Sequence, residues 1–247
     1  MSSFPRRAAL LAAGLAVPAL ASAQGAAAAS LPFEQIAAAM KPGTWTWAAK
    51  LTANGQQQDF GSRTLTLEKA KAGNGWLLLD AQTNAMVQMS DSLVLGASDL
   101  SAVSRSLKMQ TPMGEASLAM TFTADSVKGA LNAPGQSQTI ASKNVKGALS
   151  NDGVLLLALS KLPLADKWTG RVELLNPQSG GTIPLSLSVK GSEKVTVPAG
   201  AFDTWIVEST GGPTALTLYV AKNGGPVVRV VQAVPQMGGT MESVLQK

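Results

Sequence analysis

The chain has 247 residues, 24 glycines, 13 prolines, a formal charge of +5, and neither cysteine nor histidine. Without cysteine there is no disulfide, thiol nucleophile, zinc–thiolate or iron–sulfur site. Without histidine there is no Ser-His-Asp or Cys-His catalysis, no histidine metal centre and no histidine pH switch.

Residues 1–23 read as a cleaved export signal. Arg6 and Arg7 precede an apolar run from Ala8 to Leu20, and Ala21-Ser22-Ala23 supplies the small-x-small pattern that a signal peptidase accepts. The run is shorter than the ~20 residues of a membrane span. Pro5 stands where a twin-arginine signal carries a polar residue, which favours the general secretory route. No cysteine follows the run, so a lipid anchor is not expected. The expected product is periplasmic or secreted and does not span a membrane after cleavage.

Residues 24–43 read as a leader and a short helix. "LPFEQIAAAMKPG" places Pro32 at a first helical position and stops at Pro42-Gly43. Residues 44–247 read as one antiparallel β domain of roughly ten strands, a number set by common strand lengths and turn spacing. "TWTWAAKLTA" puts Trp45 and Trp47 on one strand face, and Asn54-Gly55 is a strong hairpin signal. "ASLAMTFTA" places Leu118, Met120 and Phe122 on one face, and "TIPLSLSVKGSEKVTV" alternates in the same way. "NDGVLLLALSKLPL" fits either a helix capped by Asn151 or Asp152 or a buried strand. Four double glycines, Gly180-Gly181, Gly211-Gly212, Gly224-Gly225 and Gly238-Gly239, divide the last third into consecutive hairpins. The fold class expected is all-β with one or two short helices, a curved antiparallel sheet or incomplete β-barrel, mostly meander.

No catalytic, cofactor or metal residue stands out. No Gly-x-Ser-x-Gly, Ser-x-x-Lys or P-loop occurs. Lysines are scattered singly, without a basic stripe interleaved with aromatics, which argues against nucleic acid as a partner. Paired carboxylates are the one catalytic chemistry left open, with Glu193 and Glu208 placed near each other across the hairpin at Pro198. Their ordinary alternative is a solvated pair of charges matched by lysines.

Apolar surface is the remaining signal. Met86, Met89, Met109, Met113 and Met120 cluster in the middle third, and methionine suits both an adaptable ligand surface and ordinary core filling. Trp45, Trp47, Met86, Met89, Met120 and Phe122 are the candidate apolar ligand surface.

"GSEKVTVPAGAFD" (Gly191–Asp203) carries a family resemblance, with Leu162-Pro163-Leu164 upstream and Pro226-Val227-Val228-Arg229 downstream. It resembles a family of exported bacterial β proteins of unknown function that have a G-x-E-x-V-x-x-P-A-G-x-F hairpin. That family looks distantly similar to the LolA/LolB-like lipoprotein-carrier group. The resemblance implies a curved sheet with helices over its apolar concave face, and a lipid-binding or lipoprotein-handling role. The expected partners are a lipid or other apolar small molecule, with an envelope protein as the second candidate. A structural or partner-binding protein with a filled core is the alternative, and a carboxylate-based glycan hydrolase a third. No cofactor is expected. Within the hairpin, Pro198 and Gly200 are expected to build a three-residue turn, with Gly200 left-handed.

Overall fold

The computed structural model describes residues 29–71, 75–144, 146–212 and 214–247. The signal segment expected at 1–23 and most of the expected leader lie outside the described residues. The strands among these residues join in one sheet. In chain order the elements are β1 (Ala29–Ser30), α1 (Phe33–Ala39), β2 (Gly43–Ala53), β3 (Gln56–Lys69), β4 (Gly75–Thr83), β5 (Gln88–Gly96), β6 (Ala102–Thr111), β7 (Gly114–Phe122), β8 (Ser126–Ala133), β9 (Gln136–Lys143) and β10 (Ala148–Leu149). There follow α2 (Asp152–Leu159), β11 (Thr169–Leu175), β12 (Thr182–Val197), β13 (Gly200–Thr210), β14 (Leu216–Ala221), β15 (Val227–Val234) and β16 (Gly239–Leu245). A single 3₁₀ turn, Pro235–Met237, links the last two strands.

The expected all-β meander is present, but its sheet has sixteen strands rather than about ten. Two of them, β1 and β10, are only two residues long and pair in parallel with the outer edge of β11. Others were hidden by weak patterning: β9 buries only Ile140 fully along eight residues, so its period of two scarcely registers. The order runs β11 to β16 and then β2 to β9, because β16 pairs antiparallel with β2 and joins the two halves. The sheet curls but does not close. Among the described residues no backbone ladder crosses the seam between β9 and β11. Gln138 Nε2 donates to Gln178 O at 2.7 Å and Ser142 Oγ to Gly180 O at 2.6 Å, and Leu175 packs beside Ile140.

The ambiguous Asn151 segment is a helix. The Asn151 side chain accepts the Val154 N–H at 3.0 Å, so α2 starts on a proper cap. Every residue from Gly153 to Leu159 is buried, which explains why its sequence is apolar on all sides and reads equally well as a strand. The curled sheet surrounds α2. Leu155, Leu156, Leu157 and Leu159 pack in the main core with Trp47, Leu65, Leu78, Leu187 and Val228. Burying a leucine or valine contributes roughly 1.5–3 kcal/mol, so α2 alone brings about 10 kcal/mol, similar to the whole net stability of an ordinary domain. The first helix is shorter than expected. Pro32 caps it from outside, and Ile36 and Ala37 face the core.

The Pro198 hairpin also differs from expectation. Val197 pairs directly with Gly200, so the turn has two residues, Pro198 and Ala199. Gly200 keeps a positive φ of 131°, but as the first residue of β13. The Ala199 N–H donates to Leu245 O at 3.3 Å, tying the hairpin tip to the last strand.

Candidate functional site

Two polar features interrupt the apolar interior. The first lies where α2 begins. Arg63 on β3, Asp80 on β4, Asp91 on β5 and Arg105 on β6 are all turned inward, the first three on the same strand faces as buried leucines and Arg105 on the face of the half-buried Leu107. Asp80 and Asp91 are register partners and only about 1% exposed. Arg63 forms a fork on Asp80, with Nε to Oδ1 at 3.0 Å and NH2 to Oδ2 at 2.6 Å, and reaches Asp152 through NH1 at 2.7 Å. Arg105 pairs with Asp91 at 2.7 Å and donates from NH1 to Ser150 O at 2.5 Å. The Asn151 amide donates to Asp91 at 3.1 Å and to Asp80 at 3.5 Å. Four strands therefore hold the first residues of α2 through charge-assisted bonds.

The electrostatics follow from burial. Desolvation pushes the Asp80 carboxyl above its ordinary range, against the downward pull of Arg63. Desolvation acts upward on Asp152 too, but Arg63, through charge and hydrogen bonds, with help from Arg105, holds that carboxyl below its ordinary value. For Arg63 itself, burial disfavours the charge and the two aspartates more than restore it.

The second feature is the seam. Two adjoining cavities of about 540 and 490 Å³ flank it. They share Asp99, Ser101, Lys146 and Gly147, and so form one groove. The first opens between the start of α1 and the edge of β11, beside Phe33 and Arg171. The second runs over Val103, Phe122, Val127 and Leu175, with Lys143 and Lys146 also in its wall. Ser150 lines this second part. It is 3% exposed, and its hydroxyl has no hydrogen-bond partner among the described residues. An unpaired buried hydroxyl costs about 1–3 kcal/mol, so its placement here calls for a reason.

The residues expected to form an apolar ligand surface are not brought together. Trp47 is buried and donates from Nε1 to Val227 O at 2.9 Å, and Trp45 packs beside it against the main core. The space between these two and Leu156 and Leu157 is only about 10 Å³. Met120 is buried in a second, smaller cluster with Leu118, Val127, Ile140 and Leu175. Met86 is 57% exposed in the β4–β5 turn, and Met89 is half-buried beside Met109. Of the six, Phe122 alone lines the seam groove. The physical reason is α2, which occupies the concave face that strand alternation left apparently free. Glu193 and Glu208 do not converge either. Glu193 pairs with Thr204 and Glu208 with Ser188, roughly 13 Å apart along the strand. Each meets its own cation, Arg229 at 3.8 Å and Lys190 at 3.6 Å.

Sequence reasoning missed the buried charges, although their signal is in the alternation. In "RTLTLE" Arg63 shares parity with Leu65 and Leu67, and in "WLLLD" Asp80 shares parity with Trp76 and Leu78. Asp91 stands in the same relation to Leu93 and Leu95. A charge on the apolar parity of three successive strands is a legible sign of a buried ion-pair network.

An open, helix-plugged β-barrel with a groove along its seam is the class this geometry defines. The chain belongs to the family described as "Protein of unknown function (DUF3108)", which matches residues 39–245. No curated protein matches it. Among solved structures, a β-barrel-like protein of domain of unknown function DUF1849 from Brucella abortus shares the fold, with a TM-score of 0.55 at 10% identity, over 83% of this chain and 95% of that one. An exported protein with a YmcC-like fold from Bacteroides fragilis aligns with a TM-score of 0.31 at 12% identity, over 83% and 93%. A DUF1329 family protein from Desulfovibrio piger aligns with a TM-score of 0.30 at 12% identity, over 87% and 92%.

Proposed function

We propose that this is an exported, non-enzymatic binding protein that takes an apolar or amphiphilic molecule of the cell envelope in the groove along the β9–β11 seam. The observation that carries the reading is the groove itself. Its two parts fall within the ~300–1,000 Å³ of ordinary ligand pockets, and they join an apolar wall to a few polar groups. The seam also has the mechanics of an entry site. Side-chain hydrogen bonds and the small apolar cluster that joins Leu175 to Ile140 hold it, where a ladder holds neighbouring strands elsewhere in the sheet. The concave interior, by contrast, is filled by α2 at an energetic cost too large for a ligand to reverse.

Native mass spectrometry of protein purified from its own periplasm tests this, together with uptake of a fluorescent fatty acid. A bound apolar molecule, lost on Phe122→Glu, is expected. Repeated absence of any such molecule, with no uptake, would sink the reading. The second reading is a structural or partner-binding envelope protein. It is favoured by the burial of α2 from Gly153 to Leu159 in the core, and it would gain from that same negative result.

A further inference from the structure

We propose that the Lys143–Lys146 half of the groove selects an anionic acyl lipid, one acyl chain joined through an ester or amide carbonyl to an acidic head group. The inference rests on the binding role proposed above and adds the ligand's chemistry. Three observations define it. Phe122, Val127 and Leu175 give the chain an apolar track beside the smaller of the two cores. Lys143 and Lys146 are exposed, and in this half of the groove they face one anion, Asp99, while Glu34, Arg171 and Glu173 line the other half. Asp99 is already engaged, since its Oδ1 accepts from the Ser101 N–H at 3.1 Å and from the Ser101 hydroxyl at 2.7 Å. The lysines are therefore the groups left for an acidic head.

Ser150 supplies the third element. Its hydroxyl is a donor without a partner among the described residues, buried at the wall of this groove. It does not sit there by accident of a loose loop. Arg105, locked on Asp91, grips the Ser150 carbonyl, and Asn151 next to it caps α2. A fixed, buried hydroxyl beside an apolar track fits a ligand that carries a hydrogen-bond acceptor inside its apolar part. An ester or amide carbonyl is such a group, and an unsubstituted hydrocarbon chain has none. The buried ion-pair network then has a use beyond anchoring a helix, because it fixes Ser150 at the wall of the groove.

The test is calorimetric titration of the protein with four monomeric amphiphiles of equal chain length: acyl lysophosphatidic acid, its ether analogue, acyl lysophosphatidylcholine and the free fatty acid. Acyl lysophosphatidic acid is expected to bind about 3- to 10-fold tighter than the ether analogue, the worth of one neutral hydrogen bond. It should bind about 10-fold or more tighter than the choline lipid. Ser150→Ala should erase the first preference and keep the second. Lys143→Glu with Lys146→Glu should erase the second and keep the first. These lysines are exposed, so that variant folds even where Ser150→Ala does not. Tighter binding by the free fatty acid would overturn the carbonyl assignment and leave the acidic head. Binding with neither preference overturns the lipid class proposed here while the groove stands, and binding of none of the four overturns the groove reading itself.

Discussion

Asp80 and Asp91 face each other across β4 and β5 inside the protein, each about 1% exposed, with one Asn151 amide between them. Two like charges directly opposite on a strand pair are unfavourable in isolation. The arrangement holds because each aspartate has its own arginine, Arg63 or Arg105. Removing one member of a buried pair leaves an uncompensated charge and costs about 3–5 kcal/mol, whereas replacing both with apolar groups is often neutral. Arg105→Met should therefore lower stability by about 3–5 kcal/mol, and Arg105→Met with Asp91→Leu should recover most of it. Urea unfolding of the two variants decides. Equal losses in both would show that the pair acts through packing alone.

The two perturbed aspartates predict opposite pH slopes. Asp152 has a lowered carboxyl, so its contribution is present above the ordinary value of 3.8 and is lost as pH falls through its folded value. Asp152→Asn should be less stable than the parent near neutral pH, with the gap closing below about pH 4. The Asp152 side chain is 48% exposed, which keeps the effect under about 1 kcal/mol. Asp80 has a raised carboxyl, so its own titration favours the folded state below its ordinary value of 3.8 and weakens it as pH rises through the folded one. Stability of the parent and Asp152→Asn, measured from pH 7 to pH 3, reads the first slope. A gap that widens toward low pH contradicts the assignment to Arg63.

Much of this was legible in the sequence because strand alternation reports one buried face. The Asn54-Gly55 hairpin, the meander set by the double glycines and the curved sheet all follow from it. Three things were not legible. Strand count failed where β8 and β9 carry polar residues on both faces. The ligand surface failed because alternation says which side of Trp45 and Trp47 is buried, not what covers it, and α2 covers it. The seam failed because Lys143, Lys146, Phe122 and Ser150 come from separate elements, and only the curl of the sheet brings them to one groove.

Two glycines with nearly the same backbone separate strain from crowding. Gly200 has φ 131° and Gly61 has φ 129°, both where side-chain-bearing residues are strained. An added Cβ at Gly200 would meet only the Phe202 ring at 3.7 Å, an ordinary contact. At Gly61 it would lie 2.0 Å from the Thr83 carbonyl oxygen, at the β2–β3 bulge. Gly200→Ala should cost about 1–3 kcal/mol of backbone strain, and Gly200→Val somewhat more, with groove binding unchanged. Gly61→Ala must also push β4 aside and should cost more than Gly200→Ala. Thermal unfolding ranks them, and a Gly200→Val protein of normal stability would refute the strain at this turn.

The last prediction separates the filled interior from the groove. Leu155 is 1% exposed within α2, and Leu155→Ala should cost about 2–5 kcal/mol by opening a cavity in the main core. It leaves the seam untouched, so affinity for an acyl lipid should stay within about twofold, since the sites share no contact. Phe122→Glu should do the reverse. Phe122 is half-buried at the groove wall, so a charge there removes apolar ligand contact at smaller cost to the fold. Paired measurements of unfolding free energy and lipid affinity on both variants test the division. If Leu155→Ala lowers affinity more than Phe122→Glu does, the ligand binds against α2 in the interior and the seam is not its site.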